Sequence, residues 1–586
     1  MKRIFIVNEW SLPILLACCL FNRENFYTSV APSFLAFRWP FHRIVKWLES
    51  MGRLRSLKAF SDDLPWIENV PGRGWYNDTF ASIESELHAH FRTTEPEPGS
   101  DSNAYLTRKI LNYYANGIIE LLLFIEWAEN NLDYDTWKIV GLHQNHLILY
   151  RMYFKKAAAF RFSRARVPAM LTNTLTAMAV VLLGVFWLLP RCLPYPVKKL
   201  RFRLAGYGYP PYEHETFAKI IDDPGDLLIF QKPSLVPDPS NERYRQYHLS
   251  DIRDGRVAVW QIPGYMWDLV VETAQIFGRW HSEDPVFVTR LFTHAVKRIR
   301  YRAYFNRFHV KYFLSRDDYV TDHIVQTGEL RRIGGLALGI NHGLPMNTVF
   351  FAWREIDYDV YYIFGRHLFE NHYKPFWPKT MTVRPVGCYR LAQYDKRDPD
   401  TERSVDIAYF PIVTRCASQI LEEVFAIARH FNDRNVYVKL KPYRVPAEIA
   451  ETKRMLGDAP SNVSVSDGDP YEMLNRISYA ITSGSSLTAE AIQYGVKTFV
   501  FDVDPELTMF YYRNFEGLCV KTAGDVIRRI EAIENGTETY RREDFNDLVK
   551  MDGDGIFDVI RRDIGLAPAA KHETRTIQHP MGGNQA

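Results

Sequence analysis

The segment from Tyr479 to Asp502 constrains the fold most, because its pattern is that of a buried strand, a polar turn, an amphipathic helix and a second buried strand. Small side chains in the turn let backbone N–H groups and hydroxyls approach an anion closely, and the helix that begins near Leu487 directs its positive end to the same place. Such a turn opens at the carboxyl edge of a parallel sheet, where α/β proteins bind ligands. The sequence therefore predicts a phosphate site at Ser483, Gly484, Ser485 and Ser486.

Glu490 adds a possible sugar contact to this segment. It belongs to the first turn of the predicted helix, within reach of a ribose hydroxyl. The alternative for the whole segment is an ordinary strand–turn–helix joint in which a serine caps the helix.

A second signal lies upstream, where the predicted strand from Asn435 ends in a basic sequence. One further strand–helix unit separates it from the serine turn, and in that unit Asp469 is the predicted helix cap and Pro470 the first helical residue. Cations are therefore expected at the carboxyl end of a neighbouring strand. The residues concerned are Lys439, Lys441, Pro442, Tyr443 and Arg444.

This order of strands, cations and serines resembles the C-terminal half of GT-B glycosyltransferases. It is similar to the group that contains CDP-glycerol glycerophosphotransferases, bacterial polysialyltransferases and capsular Kdo transferases. Members of that group carry Lys-Pro-His-Pro after one strand and a Ser/Thr pair at the head of a later helix, and both motifs contact a cytidine nucleotide. Lys441 and Pro442 match the first motif, whereas Tyr443 and Arg444 replace its His and Pro. The resemblance implies that the cations, the serines and Glu490 bind a nucleotide donor.

The middle of the chain extends the resemblance to about residues 310 to 510. A strand followed by Asn341-His342-Gly343 resembles the His-Gly turn near the end of the N-terminal domain in this group. The segment from Met381 to Arg390 resembles the one that leads into the second domain, whose first strand is predicted from Val405 to Phe410. The resemblance implies a GT-B fold with two Rossmann-like domains that face a cleft.

Three residues are candidates for acid–base catalysis. Gly343 permits a tight turn that would expose His342 at the mouth of the sheet, and an imidazole suits proton abstraction from an acceptor hydroxyl or donation to a leaving phosphate. Asp317 and Asp318 are the other candidate bases. The alternatives are a structural histidine in a hydrogen-bonded turn and a solvated helix cap at the two aspartates.

Length and composition agree with a two-domain enzyme. A chain of 586 residues exceeds what one hydrophobic core supports. Domains are expected at 1–375, which would bind the acceptor, and at 376–566, which would bind the donor, followed by a disordered tail at 567–586. The 72 Lys and Arg residues nearly balance the 69 Asp and Glu residues, so the charge does not indicate nucleic acid. Six Cys residues show no metal or disulfide spacing.

No cofactor and no metal site is predicted. The pair Asp502-Val-Asp504 has the spacing of a metal-binding motif, but it ends a strand of the nucleotide domain and is interpreted as structural. A helix end and nearby cations can stabilise a leaving phosphate without a metal.

The run from Val167 to Pro190 has 24 residues and no charge, within a predicted hydrophobic insertion at about 150–205. As a helix it would be about 35 Å long, enough to cross a membrane. If the N-terminal strands and those at 310–365 share one sheet, however, a single crossing would divide a domain. The segment is therefore expected to turn back near Thr172-Asn173-Thr174 or to lie at the membrane interface, and the alternative is a buried core helix.

The sequence thus favours a metal-independent glycosyltransferase at the cytoplasmic face of the bacterial inner membrane. It would transfer a sugar from a nucleotide-activated donor to a growing surface polysaccharide or a lipid-linked acceptor. A phosphopolyol transferase of the CDP-glycerol type and an enzyme like the UDP-sugar 2-epimerases are the alternatives, together with a membrane scaffold that has lost catalysis.

Overall fold

The computed structural model describes twelve longer stretches and five short ones: residues 4–7, 24–27, 43, 46–56, 88–89, 103–115, 137–140, 166–208, 213–231, 247–344, 351–390, 404–411, 417–439, 456–466, 468–502, 510–551 and 555–568. The predictions for Lys441, Pro442, Tyr443, Arg444 and most of the tail lie outside these ranges.

The described strands near the start of the chain form a small parallel sheet of their own. Its order is β3-β2-β1-β4, and every pair in it is parallel. The strands are β1 (Ile4–Val7), β2 (Glu24–Tyr27), β3 (Arg55–Ser56) and β4 (Trp137–Val140).

A seven-stranded parallel sheet forms the centre of the first large domain, with the order β13-β12-β11-β10-β6-β7-β8. Its inner strands are nearly continuous runs of buried apolar residues, as expected for a parallel sheet covered on both faces. The strands are β6 (Leu200–Tyr207), β7 (Leu227–Gln231), β8 (His248–Asp251), β10 (Phe308–Ser315), β11 (Leu336–Ile340), β12 (Val360–Ile363) and β13 (Thr382–Pro385). A separate parallel pair is formed by β5 (Cys192–Leu193) and β9 (Val257–Ala258).

The second large domain contains a six-stranded parallel sheet with the order β16-β15-β14-β17-β18-β19. Its central pair, β14 and β17, is buried along most of its length. The strands are β14 (Ser404–Phe410), β15 (Val436–Lys439), β16 (Val463–Ser466), β17 (Ile477–Thr482), β18 (Lys497–Phe501) and β19 (Cys519–Val520).

Helices cover both faces of the two large sheets. Several begin where the sequence supplies a cap: the Asp284 side chain accepts the Val286 N–H, and Asp469 accepts the Tyr471 N–H as predicted. The helices are α1 (residues 103–115), α2 (Arg166–Leu188), α3 (Glu213–Ile220), α4 (Ile262–Trp280), α5 (Pro285–Arg307), α6 (Asp322–Arg332), α7 (Arg366–His372), α8 (Ala417–His430), α9 (Pro470–Leu474), α10 (Leu487–Gln493), α11 (Ala523–Glu534) and α12 (Ile556–Asp563).

The first domain's sheet is sandwiched between two helical layers. Leu204 and Leu338 pack towards α3 and α12, whereas Ala205 and Phe313 on the opposite face pack towards α5 and α6. The core on the α5 side continues into the second domain, where it includes Ala480 and other residues of the second sheet. The two domains therefore share one continuous apolar core.

The predicted α/β class with two Rossmann-like domains is confirmed by the two parallel sheets. The predicted boundary at residues 375/376 is wrong, since β13 pairs with β12 and extends the first sheet to Pro385. The predicted end of the second domain at residue 566 also differs from the structure, because α12 packs on the sheet of the first domain through Ile556 and Ile560. The backbone thus crosses between the domains twice.

The N-terminal strands differ from the prediction as well. They form a sheet separate from the one at 310–365, because their hydrogen-bond partners are one another. All described strands of the seven-stranded sheet follow α2, so the apolar helix precedes that sheet and does not interrupt it. The premise of the argument against a single crossing is therefore wrong.

The apolar segment is one continuous helix, and the predicted reversal near Thr172-Asn173-Thr174 is wrong. Asn173 lies within α2, where its side-chain amide donates to the carbonyl oxygens of His281 and Glu283 at 3.0 and 2.9 Å. The helix is long and apolar enough to cross a membrane. Only 28% of its most apolar 18-residue stretch is buried within the protein. The alternative of a buried core helix is therefore wrong too.

Candidate active site

The carboxyl edges of the two large sheets meet at the predicted site. The turn after β11 contains His342 and Gly343, and the turn after β17 contains Ser483 to Ser486. A methyl group placed on Gly343 would lie 3.7 Å from the Ser486 hydroxyl oxygen. The histidine turn of the first domain and the serine turn of the second are therefore direct neighbours across the cleft.

His342 pairs with the buried carboxylate of Asp318. The two residues follow β11 and β10, which are adjacent parallel strands, so their side chains meet at one edge of the sheet. His342 Nδ1 lies 2.6 Å from Asp318 Oδ1. Asp318 is fully buried, whereas about a third of the His342 side chain remains exposed to the cleft. With Nδ1 bonded to Asp318, Nε2 is the nitrogen that can accept a proton from a substrate.

The environment of Asp318 favours its charged form. Burial alone raises the pKa of this carboxyl, but the charge of His342 and hydrogen bonds from His342 and Tyr361 outweigh it and hold the pKa below its ordinary value. The Tyr361 hydroxyl donates to Asp318 Oδ2 at 2.8 Å, and the Asn341 amide lies 3.3 Å from the same oxygen. The carboxylate is thus fixed from both sides, as required to orient an imidazole.

Aromatic rings restrict the position of His342. Its ring centroid lies 4.6 Å from that of Tyr319 and 5.3 Å from that of Trp353. Packing of this kind favours one rotamer and keeps the imidazole at the mouth of the sheet.

Asp317 has a different environment from Asp318. Both aspartates are buried, so the alternative of a solvated helix cap is wrong. The backbone N–H of Asp317 donates to the Ser315 hydroxyl at 3.1 Å, whereas it is the Asp318 carboxylate that accepts the hydrogen bond from His342. Of the two predicted bases, Asp318 is therefore the one placed to act with the histidine.

Lys109, which the sequence analysis did not identify, lies beneath this pair. It is fully buried on α1, and its ammonium donates to the carbonyl oxygens of Asp318 and Ala352 at 2.9 and 2.7 Å. Burial lowers the pKa of Lys109 to about 7, against the opposing charges of Asp318 and Glu355. No local motif marks this lysine, since its role depends on partners more than 200 positions away.

The serine turn has the predicted form. Gly484 adopts a φ of +85°, a left-handed conformation that favours glycine, and α10 begins at Leu487. Ser483 and Ser485 are buried, with 8% of each exposed. The hydroxyl of Ser485 accepts the Leu487 N–H at 3.0 Å, whereas the residue at the cap position of α10 is Ser486, whose side chain makes no capping bond.

The other described donor-binding candidates are engaged within the protein. Glu490 is buried, and one of its carboxylate oxygens accepts a 2.7 Å hydrogen bond from Tyr471. Lys439 is the last residue of β15 and is buried too. A contact of either residue with a nucleotide stays a prediction.

Two arginines, Arg316 and Arg390, were not among the predicted site residues but converge near the cleft. Arg316 precedes Asp317 and donates to the Tyr389 hydroxyl at 2.6 Å, and Arg390 lies 3.4 Å from the same hydroxyl. Arg390 also interacts electrostatically with Glu490 of the serine-turn helix. Their position at the ends of β10 and of the crossover segment is the signal that could have identified them.

Of the aspartate pair that has the spacing of a metal motif, Asp502 has a structural partner and Asp504 lies outside the described residues. Arg513 binds Asp502 through two hydrogen bonds of 2.7 and 2.6 Å. Among the residues that the structure describes, no group of three or more His, Cys, Asp or Glu side chains is arranged to hold a metal ion.

No protein-family model and no curated protein matches the chain. Solved structures that resemble it include the UDP-GlcNAc 2-epimerase of Methanocaldococcus jannaschii, at 9% identity and a TM-score of 0.36 over 60% of this chain and 97% of the other. The UDP-GlcNAc 2-epimerase of Neisseria meningitidis has 10% identity and a TM-score of 0.37 over 62% and 98%. A lipopolysaccharide outer core galactosyltransferase has 8% identity and a TM-score of 0.36 over 62% and 99%. At these values the similarities assign neither a family nor an activity.

Proposed function

We propose that the protein is a glycosyltransferase that moves a sugar from a nucleotide-activated donor to an acceptor hydroxyl, with His342 as the general base. One observation carries the proposal: the His342–Asp318 pair lies next to the serine turn, with Gly343 and Ser486 in near contact. A proton acceptor and a phosphate cradle on opposite sides of one cleft are what transfer from a nucleotide sugar requires.

The serine turn would hold the phosphates of the donor. Hydroxyl and backbone N–H groups at Ser483, Ser485 and Ser486 can donate to phosphate oxygens, and Gly484 lets the ligand approach the backbone closely. Arg316 and Arg390 would add positive charge on the side of the crossover segment. In this proposal these groups stabilise the charge that develops on the leaving phosphate, and the reaction needs no metal ion.

His342 would activate the acceptor. Nε2 takes the proton of the acceptor hydroxyl as its oxygen forms a bond to the anomeric carbon, while the bond from that carbon to the phosphate oxygen breaks. The Asp318 carboxylate stabilises the imidazolium that results, because it holds Nδ1 at 2.6 Å. In this proposal the base belongs to the first domain and the leaving phosphate is held by the second, so the two lie on opposite sides of the anomeric carbon. A single displacement with this geometry would invert the anomeric centre.

The acceptor belongs to the same proposal. A growing bacterial surface polysaccharide or a lipid-linked glycan, met at the cytoplasmic face of the inner membrane, fits an enzyme that carries a long exposed apolar helix.

The test begins with ligand stabilisation of the full chain by CMP, CDP, UDP and GDP, since a ligand that binds the folded state raises the melting temperature. The nucleotide that binds selects the donors for transfer assays with isolated lipid-linked glycans, which we expect to give an elongated product that His342→Ala forms about a hundredfold or more slowly. Transfer of a glycerol phosphate from CDP-glycerol would instead support the phosphopolyol alternative. Epimerisation of the donor sugar without an acceptor, or no binding of any nucleotide, would refute the proposal.

A further inference from the structure

The apolar helix α2 exposes a stripe of large apolar side chains. One stripe along it, at helical spacing, is buried and consists of small, polar or medium-sized residues: Ala169, Asn173, Thr176, Val180, Gly184 and Leu188. The opposite stripe is largely exposed and consists of Leu171, Leu175, Met178, Leu182, Phe186 and Leu189. A helix on a water-exposed surface shows the reverse arrangement, whereas small residues inside and large apolar residues outside are typical of helices in contact with lipid.

The neighbouring helix α4 continues this apolar surface. α4 runs antiparallel to α2, because Asn173 bonds the His281 carbonyl oxygen and a methyl group on Gly184 would overlap the Leu269 side chain. Trp267 is 68% exposed and Val270 41%, on the side of α4 away from its acidic residues. Those acidic residues, Asp268 and Glu272, instead pair with Arg302 and Arg298 of α5.

The two helices lie along the domain and do not leave it. Beneath them is α5, which is buried for most of its length, and α2 packs against both α4 and α5. Helix α1 precedes α2 in the chain, but its side chains bind residues that follow α2. Lys109 donates to the Asp318 carbonyl oxygen, and Arg108 pairs with Glu355. A single crossing by α2 would separate these partners, so the apolar surface is suited to lie in the plane of a membrane.

Charged residues border the surface at both ends. At the end of α2, the pairing of β5 with β9 places Arg191 close to Arg253, Arg256, Asp251 and Asp254, and the exposed residues Lys198, Lys199 and Arg201 follow β5 in the chain. At the other end, Arg279 is exposed next to Trp280. Exposed Trp260 and Trp267 lie between the basic and the apolar regions, as in proteins that bind the membrane interface.

We propose that α2 and α4 together form a monotopic docking surface for an anionic lipid bilayer, with α2 in the plane of the interface and the cations on lipid phosphates. This inference rests on the proposed function for its membrane setting, and it names the surface that would bring the cleft to a lipid-linked acceptor. The exposed apolar stripes fit the acyl region, and the excess of positive charge complements anionic headgroups.

The experiment measures binding of the full chain to vesicles of phosphatidylcholine, with and without phosphatidylglycerol. The triple variant Leu182→Gln, Phe186→Gln and Trp267→Gln removes apolar area from exposed positions, and we expect its binding to fall by about a hundredfold or more. A matched control, Leu336→Gln, Val405→Gln and Val465→Gln, alters exposed apolar residues on the two sheets and should bind as the parent does. Parent binding should strengthen with phosphatidylglycerol and weaken with salt.

Three results would overturn the proposal. One is a parent chain that is folded and monomeric but binds neither type of vesicle, and another is undiminished binding by the triple variant. The third is a parent dimer that becomes monomeric in the triple variant without any vesicle binding, which would identify a second copy of the chain as the occupant. Nucleotide stabilisation is measured on the same preparations. A parent chain that binds a nucleotide but no vesicles would contradict the docking surface alone. A parent chain that none of the nucleotides stabilises would contradict the proposed function.

Discussion

The buried ammonium of Lys109 donates to the backbone carbonyl oxygen of Asp318 at 2.9 Å, so a helix from the first fifth of the chain supports the loop that positions His342. The same ammonium bonds the carbonyl oxygen of Ala352, next to Trp353, whose ring packs against His342. One side chain thus holds two of the segments that surround the proposed base.

Lys109 predicts a dependence of stability on pH. Its pKa is lowered by burial to about 7, well below that of an unfolded lysine, so between pH 7 and about 10 the unfolded chain binds more protons at this position than the folded chain does. The contribution of Lys109 therefore becomes more favourable as pH rises through this window, by at most about 1.4 kcal/mol per pH unit. In Lys109→Met this contribution is absent.

Chemical denaturation at several pH values measures the effect as a difference between the two proteins. We expect the free energy of unfolding of Lys109→Met to rise less, or fall more, than that of the parent between pH 7 and about 10. Parallel curves for the two proteins would show that the lysine is not buried as the structure places it. Lys311, on the same domain but against a tyrosine ring, provides the control variant Lys311→Met.

The serine turn predicts a change in nucleotide affinity. The double variant Ser485→Ala and Ser486→Ala removes two hydroxyl donors to phosphate, each worth about 1.5–3 kcal/mol when the acceptor is charged. Calorimetric titration with the nucleotide that stabilises the parent should show this loss. Ser478→Ala is the matched control, because Ser478 lies at the opposite end of β17 and donates to the Ser404 carbonyl oxygen. Equal affinities of the folded double variant and the parent would rule out the phosphate site.

The backbone conformation of Gly484 predicts an effect on stability. Its φ of +85° lies in the left-handed region, where a side chain costs about 1–2 kcal/mol. Gly484→Ala should lower the free energy of unfolding by that amount. Gly343→Ala should not, because no positive φ is recorded for Gly343 and its nearest neighbour would be at an ordinary contact distance of 3.7 Å. Denaturant titrations of the two variants compare them directly, and similar losses in both would contradict the assigned turn.

The elements that the sequence predicted correctly are those in which local chemistry and hydrophobic pattern agree. The strand, turn and helix around Gly484 need a left-handed residue between a buried strand and an amphipathic segment, and Asp469 with Pro470 starts a helix by cap chemistry. The position of His342 follows from the end of the buried strand β11, which places the next residues at the carboxyl edge of the sheet, although Gly343 does not adopt the left-handed conformation of a tight turn.

Relationships between distant residues were not predictable in this way. Whether β1 joins the large sheet depends on hydrogen bonds to strands far along the chain, and so does the pairing of β13 with β12. The apolar composition of α2 predicted a helix, but it did not reveal which stripe faces the protein, since large side chains occur on both sides. Lys109 resembles any other helix lysine until its partners are known.

The pair His342–Asp318 predicts the largest effect on catalysis. His342→Ala should reduce kcat by about a hundredfold or more with little change in donor affinity, because general acid–base catalysis supplies roughly 10²–10⁴ in rate. Asp318→Asn keeps the size of the side chain but removes its charge, so the imidazolium that forms during transfer loses its counterion and kcat should fall. His309→Ala, on β10 at the opposite end of the sheet, is the control.

Melting temperatures are recorded for every variant, since a purely structural histidine would lower stability and reduce activity only in proportion to the folded fraction. Full turnover per folded molecule in His342→Ala would assign the base to another residue, and Asp317, buried beside the pair, would be the next to test.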